Sequence, residues 1–235
     1  MKKTKTVAKP KAFTAAEQRG IDWFCAKYGS DTKAVDEDGT TLLHTAARYN
    51  KVAVVKFLVS KGADVNVKDN RGNTPLYWAM YYNYIEITKF LVSKGADINA
   101  ENPDGRTMLY LAVYKNYIEI TKFFISKSAD VNIPRWWCML GLTSQRLHSN
   151  SIEIVKFFVS KGAKVNAKDH CGYTPLHWAA ETFVEQVENV KIAEILVSKG
   201  ADVNAKNMDG KTPLDLAKLC GNMVVVEYLE SVSKK

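Results

Sequence analysis

Apolar residues recur every three or four positions in one segment after another, as they do along one face of an α-helix. In one such segment the apolar positions are Ile87, Phe90 and Leu91, with Thr88 and Lys89 between them. This spacing predicts an amphipathic helix that buries one face. Four of these segments are followed by a glycine, which readily takes the left-handed conformation that ends many helices. These glycines are Gly62, Gly95, Gly162 and Gly200.

A shorter helical signature stands before each amphipathic segment. It reads TTLLHTAA, NTPLYWAM, RTMLYLAV, YTPLHWAA and KTPLDLAK in five places. In the second of these, Thr74 can accept a hydrogen bond from a free N–H of the first turn, and Pro75 suits the first helical position, where the N–H has no partner. The small Ala79 allows a neighbouring helix to approach closely. The chain is therefore predicted to consist of pairs of short helices.

The two signatures repeat with a period near 33 residues. The turn glycines Gly39, Gly72 and Gly105 lie 33 residues apart, and text such as LVSKGADVN recurs at the same interval. A period of this length with a T-P-L-H-x-A signature resembles the ankyrin repeat. The resemblance covers roughly residues 36–231. It implies an all-α fold, an ankyrin-repeat solenoid of stacked antiparallel helix pairs joined by β-turn loops.

The period also sets the expected domain organisation. We predict a basic, disordered N-terminal tail at 1–12, an ankyrin-repeat array at 13–231 and a C-terminal tail at 232–235. The array is predicted to hold a capping segment and then six repeats, at 13–35, 36–68, 69–101, 102–134, 135–168, 169–206 and 207–231. Thr14 and Glu17 have the spacing of a capping box at the start of the first helix.

The fourth repeat departs from the pattern. The stretch NIPRWWCMLGLTSQRLHSN, residues 132–150, lacks the turn glycine, the TPLH signature and the small alanines, and it contains Trp136 and Trp137. Exposed tryptophans are frequent anchors in protein interfaces, whereas buried ones would fill the space left by the missing motif. The sequence leaves both interpretations open.

The net charge of +8 is concentrated at the two ends of the chain. Five lysines within the first 11 residues and two at the C-terminus account for seven of the 33 basic residues, which leaves 26 against 25 acidic ones. A nearly neutral body offers no broad phosphate-binding surface, so we predict no nucleic-acid binding. Binding of nucleic acid or an anionic surface through the tails is the alternative.

The lack of a membrane helix and of paired cysteines indicates where the protein is located in the cell. No apolar run approaches the roughly 18–20 residues of a membrane helix, so we expect no membrane span. The four cysteines form no CxxC pair, which fits a reducing, cytoplasmic environment. The repeats are rich in Lys, Asn, Ile and Tyr, and in this composition they are similar to ankyrin proteins of intracellular bacteria. The second alternative is therefore an effector secreted into a host cell by a non-classical route and acting on a host protein.

Features that suggest chemistry have structural explanations. The resemblance implies that His44 and His177 hydrogen-bond nearby turn backbone. Trp78 and Trp178 share one column of the repeat and are predicted to lie in the core. AKNMDGKT, residues 205–212, is interpreted as a repeat turn with a fortuitous likeness to a phosphate-binding loop. His170 and Cys171 supply two of the four ligands that a zinc site needs. We predict a protein without enzymatic activity, metal or cofactor. The alternative is an enzyme site in the irregular fourth and fifth repeats, which requires that His148, His170, Cys138 and Cys171 converge in space.

The resemblance implies that a partner protein binds the concave face, which is formed by the turn tips and the exposed side of each first helix. Tyrosine and arginine are enriched in interfaces and their hot spots. The candidate partner-binding residues are Arg48, Tyr49, Tyr81, Tyr82, Arg106, Tyr114, Lys115, Trp136, Trp137 and Tyr173. The basic members favour a partner segment with acidic character. We predict a monomeric, non-catalytic scaffold that binds a protein whose identity the sequence does not give.

Overall fold

The computed structural model describes residues 13–102, 104–127, 151–181 and 186–233. Trp136 and Trp137 lie outside the described residues, as does the basic tail. Within the described residues there are twelve α-helices and two isolated β-bridges, with no longer strand. The chain divides into two compact units, an N-terminal unit that ends at Asp97 and a C-terminal unit that begins at Ile98.

The N-terminal unit contains five helices. They are α1 (Ala15–Tyr28), α2 (Leu42–Arg48), α3 (Val52–Ser60), α4 (Pro75–Tyr81) and α5 (Ile85–Ser93). The short helices α2 and α4 pack against each other, and each also packs against the longer helix that follows it. The longer helices form a second layer, in which α1 packs on α3 and α3 on α5.

The helices of this unit begin where the sequence predicts. Thr14 and Glu17 form the predicted capping box of α1, and the Thr74 hydroxyl accepts a hydrogen bond from the Tyr77 N–H at 3.3 Å. Pro75 occupies the first position of α4, where its missing N–H costs no hydrogen bond. The apolar face of α5 is buried at Ile87 and Leu91. These contacts confirm the predicted helix pairs.

Consecutive turns of the N-terminal unit are joined by hydrogen bonds. The Asn70 N–H donates to the Asp38 carbonyl at 2.9 Å, and the Asn70 side-chain amide donates to the Glu37 carbonyl at 3.0 Å. Gly39 lies beside Asn70 with a φ of 71°, in the left-handed region that favours glycine. The turns are therefore fixed to one another as well as to their own helices.

The C-terminal unit contains the other seven helices. They are α6 (Met108–Tyr114), α7 (Ile118–Ser126), α8 (Ser151–Ser160), α9 (Pro175–Glu181), α10 (Gln186–Ser198), α11 (Pro213–Leu219) and α12 (Met223–Ser233). The helices α9 to α12 share one core, whose fully buried members include Leu176, Leu196, Ala217, Val225 and Leu229. The short helices α9 and α11 pack together, as do the longer helices α10 and α12, so this unit repeats the two-layer arrangement.

Candidate partner-binding surfaces

Aromatic and basic side chains cluster where the short helices of the N-terminal unit end. α2 ends at Arg48 and is capped by Tyr49, while α4 ends at Tyr81 and is capped by Tyr82. Because the two helices lie side by side, equivalent positions in consecutive repeats become neighbours. The exposed fractions of Tyr49, Tyr81 and Tyr82 are 54%, 37% and 39%. We call these four residues, together with Trp78, the N-terminal aromatic surface.

The rings of this surface contact one another. The Trp78 and Tyr82 rings are stacked with centroids 6.3 Å apart, and the Tyr81 and Tyr82 rings meet edge to face at 5.1 Å. The ring of Tyr84, the residue that precedes α5, also stacks with the Tyr82 ring, with centroids 5.7 Å apart. Aromatic pairs at these separations hold each other in place, so the surface is preorganised before any partner arrives.

The location of Trp78 corrects the sequence interpretation. Trp78 was predicted to lie in the core, but it is only partly buried and forms part of the exposed surface. Its neighbours Ala79 and Met80 are the residues that α4 buries completely. The Arg48 guanidinium covers the Trp78 ring with its carbon 4.9 Å from the ring centroid. Trp78 is therefore shielded by a polar side chain from the neighbouring helix rather than by the core.

Arg48 contacts two aromatic rings of this surface and pairs with no described carboxylate. It is exposed, and its guanidinium lies over both the Trp78 ring and the Tyr49 ring, the latter at 5.8 Å. In the part of the chain that the structure describes, no carboxylate lies within ion-pair distance of it. Stacking on an aromatic face leaves the N–H groups at the edge of the guanidinium able to donate outward.

The C-terminal unit carries a smaller surface of the same kind on α6. Tyr114 is 49% exposed and stacks on Tyr110 with centroids 6.4 Å apart. The guanidinium of the exposed Arg106 lies 5.5 Å from the Tyr110 centroid. Lys115 caps the helix and is partly buried. Three of the predicted contact residues therefore belong to one short helix, its C-terminal cap and the turn before it.

Tyr173 lies in a more enclosed setting than the sequence suggested. Its ring packs on Trp178 at 4.9 Å and on His177 at 5.4 Å, and burial raises the pKa of its hydroxyl. Trp178, which was also predicted to lie in the core, is partly buried, and its indole N–H donates to the Asp169 carboxylate at 3.1 Å. Both residues therefore lie between the core and solvent.

The two signature histidines are structural, as the resemblance implied. His44 is completely buried, its Nδ1 accepts a hydrogen bond from the Thr41 N–H at 3.1 Å, and its Nε2 donates to the Asn73 carbonyl at 3.1 Å. His177 makes the same pair of contacts with Thr174 and with the Lys211 carbonyl. These contacts fix the neutral tautomer with its proton on Nε2, and burial lowers the pKa of both imidazoles.

A group of metal-ligand side chains occurs at one turn tip. One ligand atom from each of Asp169, His170 and Cys171 lies within 4.8 Å of the others. The Asp169 carboxylate already accepts hydrogen bonds from the backbone N–H groups of Cys171 and Tyr173 and from the Trp178 indole. It thus holds its own turn together, and no fourth side chain from the described residues joins the group to complete a tetrahedral zinc site. Cys138 and His148, which could have completed such a cluster, lie outside the described residues.

Sequence reasoning missed one exposed aromatic group. Trp23 on α1 is 55% exposed and meets the Tyr28 ring edge to face at 6.5 Å. The Lys27 ammonium lies 5.1 Å from both ring centroids. The signal was present in the sequence, since Trp23 and Lys27 are four residues apart and share one face of a helix.

Two protein-family models match the chain. The family described as "Ankyrin repeats (3 copies)" matches residues 13–102 and 143–234, and that described as "Ankyrin repeat" matches residues 104–136. The chain belongs to the ankyrin repeat family. Its fold is the all-α ankyrin-repeat solenoid of stacked antiparallel helix pairs. Members of this family are generally non-catalytic modules for protein–protein interaction.

Solved structures agree with this assignment. An ankyrin repeat domain from Acinetobacter baumannii is 25% identical with a TM-score of 0.73, over 81% of this chain and 97% of that one. A chain in a complex of a predatory endopeptidase with an immunity protein, from Bdellovibrio bacteriovorus, is 27% identical with a TM-score of 0.68, over 84% and 99%. The ankyrin repeat domain of Bcl-3, a member of the IkappaB family, is 23% identical with a TM-score of 0.68, over 91% and 99%.

Two comparisons gave negative results. No curated protein matches the sequence. None of the helices in the described residues combines the length and the apolar character that crossing a membrane requires.

Proposed function

We propose that this protein is a non-catalytic scaffold that binds a partner protein through the face carrying the ends of its short helices. The observation that carries the proposal is the N-terminal aromatic surface, where three exposed tyrosines, a tryptophan and an arginine lie together. In the ankyrin family the equivalent face is concave and receives partners. The surfaces around Tyr114 and the stretch with Trp136 and Trp137 are further candidate contacts.

The composition of the surface supports binding to protein. Tyrosine, tryptophan and arginine supply most interface hot spots, because they bury a large area at low cost in side-chain entropy. The N-terminal cap and the core contacts of α4 are supplied by other residues, such as Thr74, Leu76 and Ala79. Binding of a partner accounts for the presence of the aromatic side chains and the arginine on the surface.

A comparative affinity purification tests this proposal. The wild-type chain, a Tyr81→Ala/Tyr82→Ala variant and a Trp23→Ala control are each shown to be folded by circular dichroism and then used as baits. Trp23 is a matched control because it is an exposed aromatic residue of the same unit outside the surface. We expect a protein retained by wild type and by the control but lost with the tyrosine variant.

Two further baits separate the alternatives. Loss of the partner only in a Trp136→Ala/Trp137→Ala variant would place recognition in the fourth repeat. Loss on deleting residues 1–11, with steep salt dependence, would favour tail-mediated binding to an anionic ligand. Retention of every specific partner by the tyrosine variant would contradict the proposal.

A further inference from the structure

The environment of Arg48 defines the chemistry of the partner more closely. Resting on the proposed function, we infer that the partner presents an aspartate or glutamate side chain to Arg48, next to an aromatic or proline residue that packs on Tyr81 and Tyr82. The bound segment is thus an acidic linear segment of a protein.

Two aromatic rings hold the Arg48 guanidinium. Its carbon lies 4.9 Å from the Trp78 centroid and 5.8 Å from the Tyr49 centroid. The two rings hold the guanidinium in place, so an incoming group meets N–H donors that are already positioned. A carboxylate is planar and has two oxygens, so it can accept two parallel hydrogen bonds from the N–H groups of a guanidinium fork.

No carboxylate in the described residues pairs with Arg48, whereas the partly buried Lys56 pairs with Glu86 at 2.7 Å. The acidic turn residues Asp36 and Asp69 of the same unit have carboxylates that accept hydrogen bonds from their own turns, at 2.8 Å from the Thr40 N–H and the Asn73 N–H respectively. The positive charge of Arg48 is therefore available to a ligand, and a partner of the same sign would be repelled.

Two tyrosine rings lie on the same surface as the Arg48 charge. Tyr81 and Tyr82 meet edge to face, with exposed fractions of 37% and 39%, so together they offer a step-shaped apolar contact. Aromatic rings and the proline ring pack well on such edges and faces. An acidic residue and a ring close together in one segment can satisfy both features at once.

The same combination recurs in the C-terminal unit. Arg106 lies over Tyr110 at 5.5 Å, and no described carboxylate lies within ion-pair distance of it. Two repeats thus each carry an exposed arginine placed on an aromatic face, at different positions of the repeat. This recurrence favours a recognition role for the arginine over a chance contact.

The test begins with a random peptide library displayed on phage and selected on the full chain. A parallel selection uses the Tyr81→Ala/Tyr82→Ala variant. We expect wild type to enrich peptides that combine Asp or Glu with Tyr, Phe, Trp or Pro at a fixed spacing, and the tyrosine variant not to enrich them.

One enriched peptide is then synthesised with its acidic residue intact and with that residue changed to the amide. Fluorescence anisotropy measures Kd for both peptides on wild type, Arg48→Gln, Arg48→Lys and an Arg19→Gln control. Arg19 is an exposed arginine on α1, so its variant removes the same charge elsewhere. On wild type, we expect the amide peptide to bind about tenfold more weakly than the acidic peptide. On Arg48→Gln, we expect the two peptides to bind equally well.

The remaining results discriminate among the explanations. Retained affinity in Arg48→Lys would show that charge alone suffices and would overturn the fork geometry. Enriched peptides that depend on the tyrosines but lack acidic residues would overturn this inference and leave the proposed function intact. Peptides that bind the tyrosine variant equally well would overturn both. Failure to enrich any peptide over an empty support would overturn the inference of a linear segment.

Discussion

Replacing His44 with alanine removes a buried link between consecutive repeats. The imidazole accepts a hydrogen bond from the Thr41 N–H at 3.1 Å and donates one to the Asn73 carbonyl at 3.1 Å, 29 residues further along the chain. Both the imidazole and Thr41 are buried. The substitution thus affects the start of α2 and the contact between two turns together.

The expected cost follows from which groups lose their partners. The Thr41 N–H is left buried without an acceptor, which costs about 1–3 kcal/mol. The Asn73 carbonyl keeps its hydrogen bond from the Asp69 N–H at 2.9 Å. Loss of the bond from the His44 Nε2–H to this carbonyl therefore costs only about 0.5–1.5 kcal/mol. The cavity left by the ring adds to both losses. We therefore expect His44→Ala to reduce the free energy of unfolding by about 3 kcal/mol.

Urea unfolding followed by far-UV circular dichroism measures this change. Repeat arrays can unfold in more than one step, so hydrogen exchange of the α2 amides provides a local measurement alongside the global one. His170→Ala is the control, because His170 lies at an exposed turn tip and should cost no more than about 0.5 kcal/mol. A loss below about 1 kcal/mol for His44→Ala, or equal losses for the two variants, would refute this reasoning.

Two more predictions follow from the described contacts. Burial lowers the pKa of His44 and His177 below the ordinary value of 6.5, so the unfolded chain takes up protons at a higher pH than the folded chain does. The free energy of unfolding should therefore be highest above about pH 6.5 and fall as the pH drops from that value toward the pKa of the folded state. Urea titrations at several pH values should show a smaller pH dependence for a His44→Gln/His177→Gln variant than for wild type. Gly39→Ala should destabilise more than Gly105→Ala, because both have left-handed φ angles near 70° but only the first would place its Cβ 2.4 Å from Asn70 Oδ1. Thermal unfolding compares the two, and equal shifts in Tm would show that the backbone conformation alone sets the cost.

The fold could be read from the sequence because each rule it uses is local. Thr74 and Pro75 specify where α4 starts, and the spacing of Ile87 and Leu91 specifies which face of α5 is buried. The period then brings successive helix pairs together without any long-range information. The structure confirms each of these features, including the Thr14 capping box.

The candidate site could be predicted only in part. The column pattern correctly placed Tyr49, Tyr81 and Tyr82 at exposed helix ends. It failed for Trp78, because the side chain that covers the indole, Arg48, belongs to the preceding repeat and lies 30 residues away in sequence. A seven-residue helix has two turns, so the exposure of its side chains depends on what the neighbouring helix presents. The stacked arginine therefore emerges only when the two helices are seen together.

Site-specific photo-crosslinking tests the central claim, binding at the N-terminal aromatic surface, most directly. A photoreactive phenylalanine analogue replaces Tyr82 in one variant and Trp23 in a control, and each purified chain is irradiated in the extract that contains the partner. The account predicts that position 82 captures covalently the same protein that wild type retains in the affinity purification, and that position 23 does not. Capture of that protein from position 23 alone, or from neither position, would contradict it.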